Sequence, residues 1–154
     1  ATDLNVASST AVTTPAVKLT PAIAVGPGPA HTVYATAITS SGALLVISNN
    51  GAFSKPWVAR DYSAAAALGT VGTRISAVVQ ASTLRVFARG TGGHVIEAVS
   101  DLAANPTIGG IDLTAQFGLG SFAAGPSAGL GVDGRVYLEG RTGTNQLLAY
   151  LRTT

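Results

Sequence analysis

Short runs of alternating or β-branched apolar residues recur along most of this chain, each closed by a turn. They occupy residues 32–38, 43–48, 57–62, 74–80, 84–89, 94–99, 111–115, 127–132, 135–139 and 146–152. Alternation with period two marks a strand that buries one face. Between the runs lie Ser41-Gly42, Asn50-Gly51, Thr91-Gly-Gly93, Asp133-Gly134 and Thr142-Gly143. Asn-Gly and Asp-Gly turns take φ above zero at both central residues, so they signal hairpins. The helical candidate is 62–68, an alanine run stopped by Gly69, too short to stand as a helix without packing. The pattern predicts an all-β fold of short antiparallel strands.

Three segments repeat one pattern: Gly42-Ala-Leu-Leu-Val-Ile-Ser-Asn-Asn-Gly51, Leu84-Arg-Val-Phe-Ala-Arg-Gly-Thr-Gly-Gly93 and Gly134-Arg-Val-Tyr-Leu-Glu-Gly-Arg-Thr-Gly143. Superposing Val46, Val86 and Val136 gives spacings of 40 (86 − 46) and 50 (136 − 86), in the range of repeat architectures. Residues 75–80, 84–89 and 94–99 form one meander and 127–132, 135–139 and 146–152 the next, with 32–48 and 57–62 as a looser first copy. One meander cannot cover both of its faces, so copies stack. The expected fold is therefore a set of antiparallel meander repeats arranged as β-propeller-like blades, with a single-chain sandwich or barrel as the alternative. Residues 1–30, ending in Val25-Gly-Pro-Gly-Pro29, read as an arm or edge strands before a single β domain of about three repeats over 31–154.

Apolar residues make up 47% of the 154-residue chain and charged residues only 10%, against a usual charged share of about 25%. Such a surface has apolar area for a partner, and three repeats leave open sheet ends; ring-closed propellers have about four to eight blades. Self-association, or neighbouring blades of a parent chain, is the expected partner. No uninterrupted apolar run reaches the ~18 residues of a membrane span. The net charge of +2 comes from nine scattered bases, without the clustered footprint of a nucleic-acid binder. Cysteine is absent, which excludes disulfides and thiolate chemistry. The chain lacks Met and begins with small residues, in keeping with an exported bacterial protein acting outside the cell or at its surface.

Leu84-Arg-Val-Phe-Ala-Arg-Gly-Thr-Gly-Gly-His-Val95 resembles the blade signature of fucose-binding bacterial β-propeller lectins and the related tectonin-type repeats, in which Leu-x-Val-Phe-x-Arg-Gly precedes Thr-Asp-Gly and a further strand. The 134–143 segment matches it less closely and 42–51 less again; together the likeness covers about two thirds of the chain. It implies a propeller-type fold and a glycan ligand. Family blades carry an aromatic just after the turn, whereas this chain has His94-Val-Ile-Glu97 and Asn145-Gln-Leu-Leu148 there.

Candidate ligand-binding residues are Trp57, Tyr62, Tyr137 and Tyr150, whose rings can stack on a sugar face or fill a core, with Arg89 from the blade signature. Gly129-Leu-Gly-Val-Asp-Gly134 spells G-x-G-x-x-G, but a strand rather than a helix follows it, so it reads as a hairpin turn rather than a dinucleotide site. Gly125-Pro-Ser-Ala-Gly129 spells G-x-S-x-G, and the order His31, Asp61 or Asp112, Ser127 permits a serine-hydrolase triad. A small secreted hydrolase using His31 and Ser127 is thus the rival to a non-catalytic binding or assembly module. Neither His31 nor His94 stands at metal-ligand spacing from another ligand, and no metal or cofactor is expected.

Overall fold

The computed structural model describes residues 17–25, 33–48, 57–103 and 105–152, with backbone alone at 17–25, 73, 148 and 150–152. The fold is all-β and antiparallel. Strands β1 (Val17–Val25), β2 (Val33–Thr39), β3 (Leu44–Ser48) and β4 (Val58–Asp61) form a first sheet in that order. A second contains β5 (Val71–Gln80), β6 (Thr83–Gly90), β7 (Val95–Asp101) and β8 (Ile108–Asp112), and a third β9 (Ser127–Leu130), β10 (Val136–Arg141) and β11 (Leu147–Arg152). Each strand pairs with its sequence neighbour, so every sheet is a meander. β1 belongs to the first sheet as its edge, with Val25 opposite Val33.

The same construction is made three times. On the first strand of the first two sheets, and just before that of the third, two extra residues bulge out at one place: 18–22 stands opposite 38–36, 71–75 opposite 90–88, and 122–127 opposite 142–139. The turn into the third strand is closed by Thr39 N–H on Ala43 C=O at 2.9 Å, by Gly90 N–H on His94 C=O at 2.8 Å and by Thr142 N–H on Gln146 C=O at 2.9 Å. These bonds place Leu44, Val95 and Leu147 in equivalent positions. The true spacing is 51 (95 − 44) and then 52 (147 − 95), not 40 and 50. Val46 lies in the third strand of its sheet and Val86 in the second of its own, so that superposition matched two different strands.

A short helix follows the fourth strand in both complete sheets. The Asp61 side chain caps α1 (Tyr62–Ala65) by accepting from the Ala64 amide, and Asp112 caps α2 (Leu113–Phe117) by accepting from the Ala115 amide, the usual role of Asp at an N-cap. Gly118, at φ 63°, ends α2. Residues 111–115, expected as a strand, therefore split at Asp112 into the end of β8 and the start of α2. The side chain behind each cap is tied back to its sheet. Ser63 Oγ accepts from the Leu44 amide at 2.7 Å, and Thr114 Oγ1 from the Val95 amide at 2.9 Å. Residues 131–135, within the G-x-G-x-x-G stretch, form a hairpin turn with Gly131 N–H on Arg135 C=O.

Stacking covers alternate faces of the strands. Leu84, Val86 and Ala88 of β6 join Tyr34, Ile38, Leu44, Val46 and Tyr62 in a core between the first and second sheets. Phe87, on the opposite face of β6, joins Val78, Val95, Leu113, Phe122, Val136 and Leu138 between the second and third. Lines of backbone join the seams too, since β5 runs beside β1 and β9 beside β5. The three first strands thus gather together while β4 and β8 lead outward, a blade-like arrangement.

Candidate binding surface

Within each seam, a residue with positive φ turns its carbonyl toward the next sheet. Gly42 (φ 81°) accepts from the Val71 amide and Gly93 (φ 83°) from the Phe122 amide, both at 2.8 Å. A Cβ on Gly93 would stand 2.9 Å from the Phe122 carbonyl oxygen, so glycine is required there by both conformation and space. The third equivalent is Asn145, at φ 63°. Asn is among the few residues that tolerate that region. Among the described residues, no backbone amide reaches the Asn145 carbonyl.

The side chains tell the same story. Leu44 and Val95 are both 0% exposed under the next sheet, whereas their equivalent Leu147 is 73% exposed. β10 buries Val136 and Leu138 against the second sheet and turns Tyr137, Glu139 and Arg141 outward. The equivalent positions in β6 are Arg85, Phe87 and Arg89, which face the third sheet. The outward face of the third sheet therefore occupies the position of a seam, and among the described residues no sheet lies against it. Ser127, opposite Glu139 in register, and Gly129, opposite Tyr137, continue this face.

Polar groups inside the existing seams show what such a face accepts. Arg85 donates to Glu97 Oε1 at 2.6 Å and to Gln80 Oε1 at 2.7 Å, and Gln80 donates in turn to the Gly134 carbonyl at 2.7 Å. Arg89 donates to the Phe122 carbonyl at 2.6 Å, and Ser76 Oγ accepts from the Ala128 amide at 2.9 Å. Arg89, Gln80 and Ser76 thus tie the second sheet to backbone groups beside or in the third, while the Arg85–Glu97 pair stays within the second sheet and holds Gln80 in place.

This accounts for most of the residues singled out from sequence. Trp57 and Tyr62 are buried, at 6% and 2% exposure, so neither ring offers a face to a sugar. The Tyr62 hydroxyl bonds Ser100 Oγ across the first seam at 2.8 Å, and burial pushes its pKa up. Arg89 is engaged in the second seam. Tyr137 is 44% exposed on the open face, its hydroxyl donating to Asp133 at 2.9 Å. The Arg135 amide and that hydroxyl hold the Asp133 carboxyl below its usual range, and the same bond raises Tyr137. Tyr150 pairs with Leu138 in β11, with its side chain outside the described residues, as is the whole of His31.

Of the hydrolase constellation, His31 lies outside the described residues, and Ser127 has no described side-chain hydrogen bond to Asp61 or Asp112. Asp112 is held by His94, which sequence reading had set aside: Nδ1 lies 2.6 Å from the carboxylate. Burial pushes the Asp112 carboxyl up, but the bonds from His94 and the Ala115 amide outweigh it and hold it low. No described hydrogen bond joins Ser127 to His94, and the described residues contain no group of three or more metal-ligating side chains. No described helix is long and apolar enough to cross a membrane. Compared with protein-family models and with curated protein sequences, the chain matches none.

Proposed function

We propose that this chain is a non-catalytic binding and assembly module, acting at the cell surface or outside the cell, whose working surface is the outward face of its third sheet. One observation carries the reading: the position filled by Leu44 and Val95 is fully buried in two sheets, and its third occupant, Leu147, is 73% exposed. An exposed apolar patch rimmed by polar residues marks an interaction site. Around it, Tyr137, Glu139 and Arg141 offer a ring and two charges to a partner. The charges inside the second seam, by contrast, are already engaged, Arg85 with Glu97 in its own sheet and Arg89 with the Phe122 carbonyl.

A serine-directed covalent probe tests the non-catalytic part. Neither Ser121, beside Gly93, nor Ser127 has a described bond to a histidine, so the expected result is no labelling of the folded chain. Stoichiometric labelling of Ser127, abolished by His31→Ala, would overturn this reading in favour of a hydrolase.

A further inference from the structure

We infer that the partner of the open face is a second copy of this chain, docked third sheet to third sheet about a two-fold axis; the inference rests on the reading above and names the occupant of the same surface. The seams already present show that these sheets stack face to face through apolar positions with polar ties, Arg89 among them. The open face repeats those positions with Leu147, Tyr137, Glu139 and Arg141. What decides the partner is that the charge pattern is complementary to itself. Glu139 and Arg141 flank Gly140 on one strand and share one face. A two-fold axis lying between two such sheets and crossing β10 at Gly140 sets Glu139 of each copy opposite Arg141 of the other. A two-fold contact of this kind is isologous and closes on itself.

The alternative use of a second copy, stacking its first sheet onto the third, meets a filled surface. Leu45 and Ile47, on the face of the first sheet turned away from the second, are already 7% and 8% exposed within one chain. Among the described residues, the third sheet is the end that remains open.

Light scattering and sedimentation of the chain over a wide concentration range give the test. The expected species at high concentration is a dimer of twice the 15.3 kDa chain mass. Leu147→Lys weakens it at least about ten-fold without altering the monomer's circular dichroism, because that side chain already meets water. Glu139→Arg and Arg141→Glu each weaken it, and the double variant E139R/R141E restores it, since the swapped charges meet across the axis. A monomer at every concentration overturns the inference, as do masses growing beyond the dimer, insensitivity to Leu147→Lys, or failure of the double swap. A monomer that binds glycans on an array, and loses them with Tyr137→Ala, overturns the second copy while leaving the binding face intact. Labelling of Ser127 in the probe experiment would instead remove the non-catalytic reading.

Discussion

Glu97 is the most deeply placed charge described, 0% exposed and paired with Arg85 at 2.6 Å. Taking two charges from water costs several kcal/mol, so such a pair contributes little net stability, yet removing one partner strands the other. Glu97→Leu is therefore expected to destabilise the chain by about 3 kcal/mol, read from urea unfolding. A change within measurement error would show that Gln80 alone satisfies Arg85. Gly93 carries a different constraint. Its φ of 83° and the 2.9 Å approach of the Phe122 oxygen to a Cβ oppose Gly93→Ala both ways, and a loss of more than about 1 kcal/mol is expected. Asn145→Gly, at the matching position of the third sheet, should be neutral or slightly stabilising, because glycine enters that backbone region more easily than asparagine. Equal losses at both positions would contradict their assignment as equivalents in different surroundings.

At the scale of elements, Asp112 does two jobs: it caps α2 and orients His94 through Nδ1. Its pKa is lower folded than unfolded. The carboxylate therefore contributes stability above its unfolded value of about 3.9, and that contribution is lost as pH falls through the lower folded value. Asp112→Asn keeps a good N-cap but removes the charge. It should flatten the dependence of stability on pH below about 4, and an unchanged acid limb would count against this role. Thr114→Val leaves the buried Val95 amide without its acceptor, for an expected loss of about 1–3 kcal/mol.

The same elements show what could be read from sequence. Strand positions were legible because alternation survives wherever one face of a sheet is covered, and the hairpin at 131–135 because Asp133-Gly134 allows little else. α2 was hidden because Ile111 and Leu113 continue the alternation of β8 straight through its cap. Asp112 before an apolar run and Gly118 after it were the available signals. The repeat length was misjudged for a related reason: the third strand of the first sheet, at Leu44 to Val46, and the second strand of the second, at Leu84 to Val86, share a Leu-x-Val pattern, and only the hydrogen bonds of the turns separate second from third. As for the binding surface, Tyr137 could be picked as an aromatic, but not told apart from Trp57 and Tyr62. Whether a ring is covered depends on which sheet comes next, and this no local pattern encodes.

Across the whole molecule, the sheets differ in how many of their faces are covered. The second has a core on both sides, built from Leu84, Val86 and Ala88 on one face and Phe87 on the other. Among the described residues the third has one, with Leu147 and Tyr137 exposed at 73% and 44% on its open face. In a linear array, stability is the sum of what each unit holds and what it shares with its neighbours, so an end unit opens more readily than a middle one. Native-state hydrogen exchange of the monomer, kept so by Leu147→Lys, should find the amides of β6 and β7 exchanging only through global unfolding. Those of β9 to β11 should exchange through a local opening of lower free energy. Opening breaks the second seam alone, including Gly93 with Phe122 and Gln80 with Gly134, and leaves the first seam closed. Dimerisation would then raise the protection of the third sheet toward that of the second, because the partner supplies the missing face. If β10 in the monomer is as slow as β6, the three sheets unfold as one unit, and the open face costs the fold nothing.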